Sequence, residues 1–149
     1  KPAFHDVGTN SKMSEQDCAQ ILVRAKYIDE WLNRRGEIAT YWCNKFKELS
    51  LTCLSDTKDP HAHQKFVMYL NDRNQLQLHL KENGIDSMIY YPVPLHKMKV
   101  FINNGMEAYG SLENSEIAAE SVLSLPIEPL METKEIDKVC EIIIKGGKS

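Results

Sequence analysis

The residues best placed for chemistry lie in one stretch, DSMIYYPVPLHKM, from Asp86 to Met98. It begins as a strand and then runs into Pro92 and Pro94, with His96 just beyond. Proline cannot donate a ladder hydrogen bond and biases the residue before it toward extended geometry, so the chain must leave the sheet here as a stiff connection. A histidine at that exit can donate or accept a hydrogen bond to a ligand.

A second group of histidines suggests a metal. His61 and His63, in the sequence HAH, offer two imidazoles to zinc, and Cys53 and His96 are the residues that would complete a ligand set. A histidine in a loop or at a strand edge is more often only a polar surface residue, and ligand geometry demands more than composition. The four cysteines lack a C-x-x-C pair, which predicts reduced and buried thiols. We therefore predict no metal site.

The elements that position these residues follow from hydrophobic periodicity. From Ser14 to Leu49, apolar residues recur at three- and four-residue steps, which predicts a long helix. Ser14 is a good N-cap, with Asp17 placed for a variant of the capping box. A helix of this length normally breaks or bends, and we expect the break at Asn33 to Gly36, because glycine costs about 1 kcal/mol relative to alanine in a helix interior.

The rest of the chain has the pattern of short strands and helices. Strands are predicted in LSLTCL, KFVMYL, DSMIYY and SVLSLPI. Asp72, with Gln75 at the reciprocal position, predicts a capping box for the helix RNQLQLHLKEN, and Gly84 followed by Ile85 predicts its left-handed end. Thr133 is expected to cap the last helix. These elements together predict a two-layer α+β domain.

The connection between the last two strands is about two dozen residues long, and loops beyond roughly 12–15 residues are usually functional, disordered or partly structured. Its aromatic residues and the helix-like segment SEIAAE predict a covering loop. His96 is therefore expected where the chain leaves the sheet edge and a lid begins.

Composition limits the classes of function. With 149 residues and 42% hydrophobic content, the chain is long enough for one domain with a real core. Its net charge of −3 leaves no basic field to hold nucleic acid. No apolar run approaches the roughly 20 residues that cross a bilayer, and the first residues lack the order of a signal peptide. We expect a cytoplasmic protein with no nucleic-acid or membrane partner. Because the chain opens on Lys1, we expect a fragment of something longer.

Three blocks of sequence, in this order and spacing, resemble the C-terminal region of the DegT/DnrJ/EryC1/StrS sugar aminotransferases. The blocks are GTNSKMSEQDCAQILVRAKYIDEWLNRRGEIATYW, DRNQLQLHLKENGIDSMIYYPVPLH and AAESVLSLPIEPLMETKEIDKV. The resemblance implies the small domain of a fold-type-I enzyme, with a mostly antiparallel sheet of three to four strands packed on helices. Residues 1–13 then lead in from a preceding large domain, and residues 14–149 form the small domain with its long first helix.

The resemblance also implies an activity. Enzymes of the family are typically homodimers that use pyridoxal phosphate to move an amino group from an amino acid, commonly glutamate, to a nucleotide-linked keto sugar, in cell-surface polysaccharide or amino-sugar biosynthesis. The lysine that binds the cofactor covalently, the aspartate that pairs with its pyridine nitrogen and the aromatic ring stacked on it come from the large domain. None of them has a matching position here. We therefore expect this chain alone to be inactive.

One cofactor contact carries over. The GTNSKM block resembles the family's glycine-x-asparagine turn, in which the asparagine reaches across the dimer to the cofactor phosphate of the neighbouring subunit. That position is Asn10. From spacing alone, Gly8 and Asn10 would only form a turn before Ser14. The family often has arginine where Lys12 stands. Lysine keeps the positive charge but lacks the planar guanidinium group, which can donate two parallel hydrogen bonds.

Two substrate contacts carry over as well. In relatives, the YYPVPLH element brings the end of the strand and its histidine to the mouth of the active site, near the nucleotide sugar, which makes Tyr91 and His96 substrate-binding candidates. Because Tyr90 and Tyr91 alternate across the predicted strand, only one of them is expected to face the ligand.

Two other interpretations stay open. One is a non-catalytic module, an orphan small domain that binds a sugar nucleotide or a partner protein. The other is a family dehydratase, in which a histidine replaces the covalent lysine at a position outside this sequence.

Overall fold

The computed structural model describes residues 12–54, 61–105 and 107–146. In chain order its elements are helices α1 (Glu15–Ala25) and α2 (Ile28–Glu48), strands β1 (Thr52–Cys53) and β2 (Phe66–Tyr69), helix α3 (Arg73–Glu82), a 3₁₀ turn (Leu95–Lys97), helices α4 (Lys99–Asn103) and α5 (Glu113–Ser121), strand β3 (Val122–Leu125) and helix α6 (Thr133–Gly146). The α+β class predicted from the sequence is confirmed. Within the described part of the chain, none of the helices is long and apolar enough to cross a membrane.

The sheet has three antiparallel strands in the order β1–β2–β3. Phe66 lies opposite Leu125, and Met68 lies opposite Leu123, with all four side chains in the hydrophobic core. Helices α2, α3 and α6 contribute most of the other core residues, so they cover one face of the sheet. Trp42 of α2 is fully buried there and stacks on Phe66 with ring centroids 5.3 Å apart. The two-layer prediction is confirmed.

The predicted strand DSMIYY is reduced to a single bridge. Met88 pairs with Ser124 of β3 through two hydrogen bonds of 3.0 and 2.7 Å, and no strand follows in the described residues before the proline pair. The sheet therefore has three strands and one bridged residue at its edge. The pairing thus ends at Met88, before the chain reaches the proline pair.

The long first helix breaks at Lys26 and Tyr27 rather than at the glycine. The N–H groups of these two residues bond three residues back, to Val23 and Arg24, and so form a tight turn between α1 and α2. Gly36 continues helically inside α2. The predicted break at Asn33 to Gly36 is wrong because the C-terminal half of α2 is packed into the core, and tertiary packing outweighs the cost of one glycine.

Two of the helix ends predicted from the sequence are confirmed. The N–H of Asp17 donates to the Ser14 hydroxyl at 3.1 Å, which confirms the cap of α1. Gly84 has φ of +73°, and the N–H of Ile85 reaches the Leu80 carbonyl at 2.9 Å, which confirms the left-handed end of α3.

Two predicted caps are wrong. Asp72 makes no side-chain capping bond, because its backbone angles of −105° and 46° are not the extended ones of an N-cap. Thr133 already lies inside α6. The carboxylate of Glu135 instead accepts the N–H of Glu132 at 2.8 Å, one residue before the helix.

Helix α1 presents an uncovered apolar face. None of its residues is buried. Ile21, Leu22 and Ile28, at the start of α2, are 49%, 69% and 53% exposed. An apolar stripe of this kind is normally packed against another surface. Within the described residues nothing buries it.

The cysteines differ widely in environment. Cys43 and Cys140 are buried, Cys53 is intermediate and Cys18 is exposed. The prediction of buried thiols therefore fails for Cys18, because α1 is not packed. The Sγ atoms of Cys43 and Cys53 lie 3.3 Å apart. Burial, with the nearby carboxylate of Asp137, raises the pKa of Cys140 to about 11.

This difference predicts unequal thiol reactivity in the 149-residue chain. With iodoacetamide at about pH 8, Cys18 should be alkylated much faster than Cys140, because the reactive thiolate is scarce where the pKa is raised. Peptide mass spectrometry over time measures both rates. Urea should make the two rates similar, and equal rates in the native chain would contradict the buried position of Cys140.

Candidate functional site

A cavity of about 940 Å³ lies on the face of the sheet away from the helical core. Its floor includes Val67 and Val122, which alternate along their strands with the core residues Met68 and Leu123. Its walls include the proline segment with the 3₁₀ turn, and α5 with the loop at residues 107–112. The covering loop predicted from the sequence therefore does border a cavity.

The structure brings both predicted substrate residues to this cavity. Tyr91 and His96 line it. Tyr90 lines it too, and the rings of the two tyrosines meet edge to face with centroids 5.6 Å apart. The prediction that only one tyrosine faces the cavity is wrong, because strand alternation does not extend beyond the single bridge at Met88.

The carboxylate of Glu116 holds the His96 ring in place. Nε2 of His96 lies 3.0 Å from Oε1 of Glu116 on α5, and the His96 side chain is only 15% exposed. The ammonium of Lys97 pairs with Oε2 of the same carboxylate. Lys97 first, and His96 second, hold the pKa of Glu116 below its usual value, so this carboxylate is ionised at neutral pH.

Lys65 adds a cation to the lining of the cavity. It precedes β2 and lines the cavity together with His61. Its Nζ lies 3.9 Å from the centroid of the Tyr90 ring, a cation–π contact. Aromatic faces, imidazoles and an ammonium group around one cavity suit a ligand with sugar hydroxyls, a base or a phosphate.

A buried arginine supports the floor. Arg73 at the start of α3 is 7% exposed, and its Nη1 donates to the carbonyl oxygens of Ala119 and Val122, the latter at 3.2 Å. Both acceptor residues line the cavity, at the end of α5 and the start of β3. Arg73 therefore fixes the junction between these elements.

The histidines of HAH do not form the metal site that we considered. The N–H of His63 donates to Nδ1 of His61 at 2.9 Å, and burial followed by the charge of His61 lowers the pKa of His63. Cys53 contacts Cys43, and His96 pairs with Glu116. In the ranges that the structure covers, no three His, Cys, Asp or Glu side chains are grouped to hold a metal ion.

Asn10, the predicted cofactor contact, lies outside the described residues. Its role stays a prediction.

The fold has counterparts among solved structures. DesV of Streptomyces venezuelae, in complex with a ketimine intermediate, matches with a TM-score of 0.84 and 28% identity, covering 100% of this chain and 40% of DesV. NtdA of Bacillus subtilis, with its bound cofactor PMP, matches with a TM-score of 0.82 and 24% identity, covering 98% of this chain and 35% of NtdA. The fold is that of a domain of fold-type-I aminotransferases.

The sequence matches the model of the DegT/DnrJ/EryC1/StrS aminotransferase family over residues 1–144. The chain therefore belongs to this family, as its sequence blocks indicate. A relative from Aneurinibacillus thermoaerophilus, dTDP-3-amino-3,6-dideoxy-alpha-D-galactopyranose transaminase, is 32% identical over 142 residues, which are 94% of this chain and 38% of the relative. The chain thus spans about two fifths of the length of the proteins it resembles.

Proposed function

We propose that the protein containing this chain is a pyridoxal-phosphate-dependent aminotransferase, which moves an amino group from an amino acid, with glutamate the expected donor, to a nucleotide-linked keto sugar. The observation that carries the proposal is the family match across nearly the whole chain. The relative from A. thermoaerophilus is named as a transaminase of a dTDP-linked amino sugar.

The cavity supports a nucleotide sugar as the ligand. Its volume of about 940 Å³ lies near the upper end of the usual range for small-molecule sites, roughly 300–1,000 Å³. Tyr91 is 68% exposed, so its ring is available for stacking. His96 offers a ring nitrogen for a hydrogen bond, and Lys65 offers an ammonium near an aromatic wall. We assign Tyr91 and His96 to substrate binding.

The described residues do not by themselves form the cofactor site. Lys65 is the lysine that lines the described cavity, and its ammonium lies over the Tyr90 ring rather than open to a covalent partner. The cofactor, when bound, carries the amino group between donor and keto sugar. The rest of the protein would hold it, and this chain would contribute the amide of Asn10 to its phosphate.

We also propose that the protein is a homodimer in the cytoplasm. The uncovered apolar face at Ile21, Leu22 and Ile28 requires a further surface to cover it, from the remainder of the protein or from a second subunit. If Asn10 reaches a neighbour's cofactor, each site needs residues from both subunits.

Replacing His96 tests the substrate assignment in the full-length protein. His96→Ala should raise the KM for the nucleotide-linked keto sugar by roughly threefold to tenfold, the value of one hydrogen bond. Cofactor occupancy, measured by visible absorbance, should stay intact. A hydrogen bond that is equally strong in the ground state and the transition state affects mainly KM, so kcat should change little.

His79→Ala is the matched control, since His79 lies on α3 and packs near Gly146, away from the residues of the cavity wall. It should leave the KM unchanged. An unchanged KM in His96→Ala, or loss of cofactor with an unchanged KM, would remove His96 from the substrate site.

A further inference from the structure

The contact between Glu116 and His96 connects α5 with the 3₁₀ turn beside the cavity. The carboxylate of Glu116 on α5 contacts Nε2 of His96 in the 3₁₀ turn through one oxygen, and the ammonium of Lys97 through the other. Both oxygens are therefore engaged, which fixes the carboxylate as well as the ring. His96 is 15% exposed and Glu116 37% exposed, so this contact is partly shielded from water.

The chemistry of the contact sets the direction of the hydrogen bond. An ionised carboxylate can only accept, so Nε2 of His96 must carry the hydrogen. In a neutral imidazole the other ring nitrogen, Nδ1, is then an acceptor with a lone pair. Among the described residues, none supplies a hydrogen-bond donor to Nδ1.

We propose that Glu116 is a positioning residue that holds His96 in the Nε2–H tautomer, so that the cavity presents the Nδ1 lone pair to a hydrogen-bond donor of the substrate. This rests on the proposed function. A sugar hydroxyl of the substrate can supply this hydrogen-bond donor. In the Nε2–H tautomer, a phosphate oxygen, which only accepts, does not fit this position.

The tautomer can be measured without any substrate. In the full-length protein labelled with ¹⁵N-imidazole histidine, magic-angle-spinning spectra should show His96 with a protonated Nε2 and an unprotonated Nδ1, assigned by comparison with His96→Gln. Glu116→Ala should shift the Nε2 resonance, because the acceptor is gone. Glu132→Gln, which removes a similar lysine-paired carboxylate on another surface, should leave it unchanged. A His96 protonated on Nδ1, or an Nε2 resonance indifferent to Glu116→Ala, would overturn the proposal.

Kinetics separate positioning from a merely structural role. Glu116→Ala should raise the KM for the nucleotide-linked keto sugar by roughly threefold to tenfold, with a much smaller change in kcat. Glu116→Gln keeps an oxygen acceptor and should fall between Glu116→Ala and the parent. In a His96→Ala background, Glu116→Ala should add less than roughly twofold, because residues acting through one contact are not additive.

Fully additive effects of the two substitutions would overturn the proposal, since Glu116 would then act independently of His96. Failure of the proposed function has a different signature. In that case no nucleotide-linked keto sugar accepts an amino group from the parent protein, and the His96 resonance still decides the role of Glu116.

Discussion

Arg73→Leu is expected to destabilise the 149-residue chain by roughly 2–4 kcal/mol, because each hydrogen bond from a charged group contributes about 1.5–3 kcal/mol and leucine leaves two carbonyl oxygens without their donor. Those carbonyls belong to Ala119 and Val122, at the junction of α5 and β3. Urea denaturation, followed by the fluorescence of the buried Trp42, measures the free energy of unfolding.

Arg24→Leu is the matched control. Arg24 lies in the last turn of α1, which has no buried residues, so its replacement should change stability by no more than about 0.5 kcal/mol. If the two leucine variants unfold at the same urea concentration, Arg73 does not hold the floor of the cavity.

If Asn10 donates to the cofactor phosphate as proposed, Asn10→Ala should weaken retention of pyridoxal phosphate in the full-length protein by about 1.5–3 kcal/mol, or roughly tenfold to a hundredfold, the value of one hydrogen bond to a charged group. The KM for the nucleotide-linked keto sugar should stay nearly unchanged. Visible absorbance after dialysis measures retention. Asn103→Ala, at the exposed end of α4, is the control and should retain the cofactor. Normal retention in Asn10→Ala would make Asn10 a turn residue only.

Complementation tests whether Asn10 acts across the dimer. An Asn10→Ala protein is mixed with a protein that lacks its cofactor-binding lysine. If Asn10 serves the neighbour's cofactor, each heterodimer concentrates both defects in one site and leaves the other intact. Activity should then recover toward one working site per heterodimer. Absence of recovery, with heterodimers shown to form, would place Asn10 in its own subunit's site or outside any site.

Local signals predicted the elements well where packing agreed with them. The strand patterns of β2 and β3, the Ser14 cap and the Gly84 turn all appear in the structure. The break predicted near Gly36 does not, because burial of α2 outweighs a glycine cost of about 1 kcal/mol. Local propensity cannot weigh that burial, since the covering residues come from distant parts of the chain.

The candidate site was predictable only in part. Family resemblance pointed to Tyr91 and His96, and both line one cavity. Glu116 lies 20 residues from His96, and Arg73 lies 46 residues from Ala119, so neither contact leaves a periodic signal in the sequence. Each residue resembles an ordinary charged side chain on a helix until the fold brings its partner near.

Transfer of labelled nitrogen tests the proposed function most directly. The full-length protein, loaded with pyridoxal phosphate, is given ¹⁵N-glutamate and a panel of dTDP- and UDP-linked keto sugars, and the products are analysed by mass spectrometry. We expect the ¹⁵N label to enter at least one nucleotide sugar, only when the cofactor is present. A fully loaded protein that puts no label into any nucleotide sugar, or that yields only a dehydrated sugar without nitrogen, would contradict the assignment as a nucleotide-sugar aminotransferase.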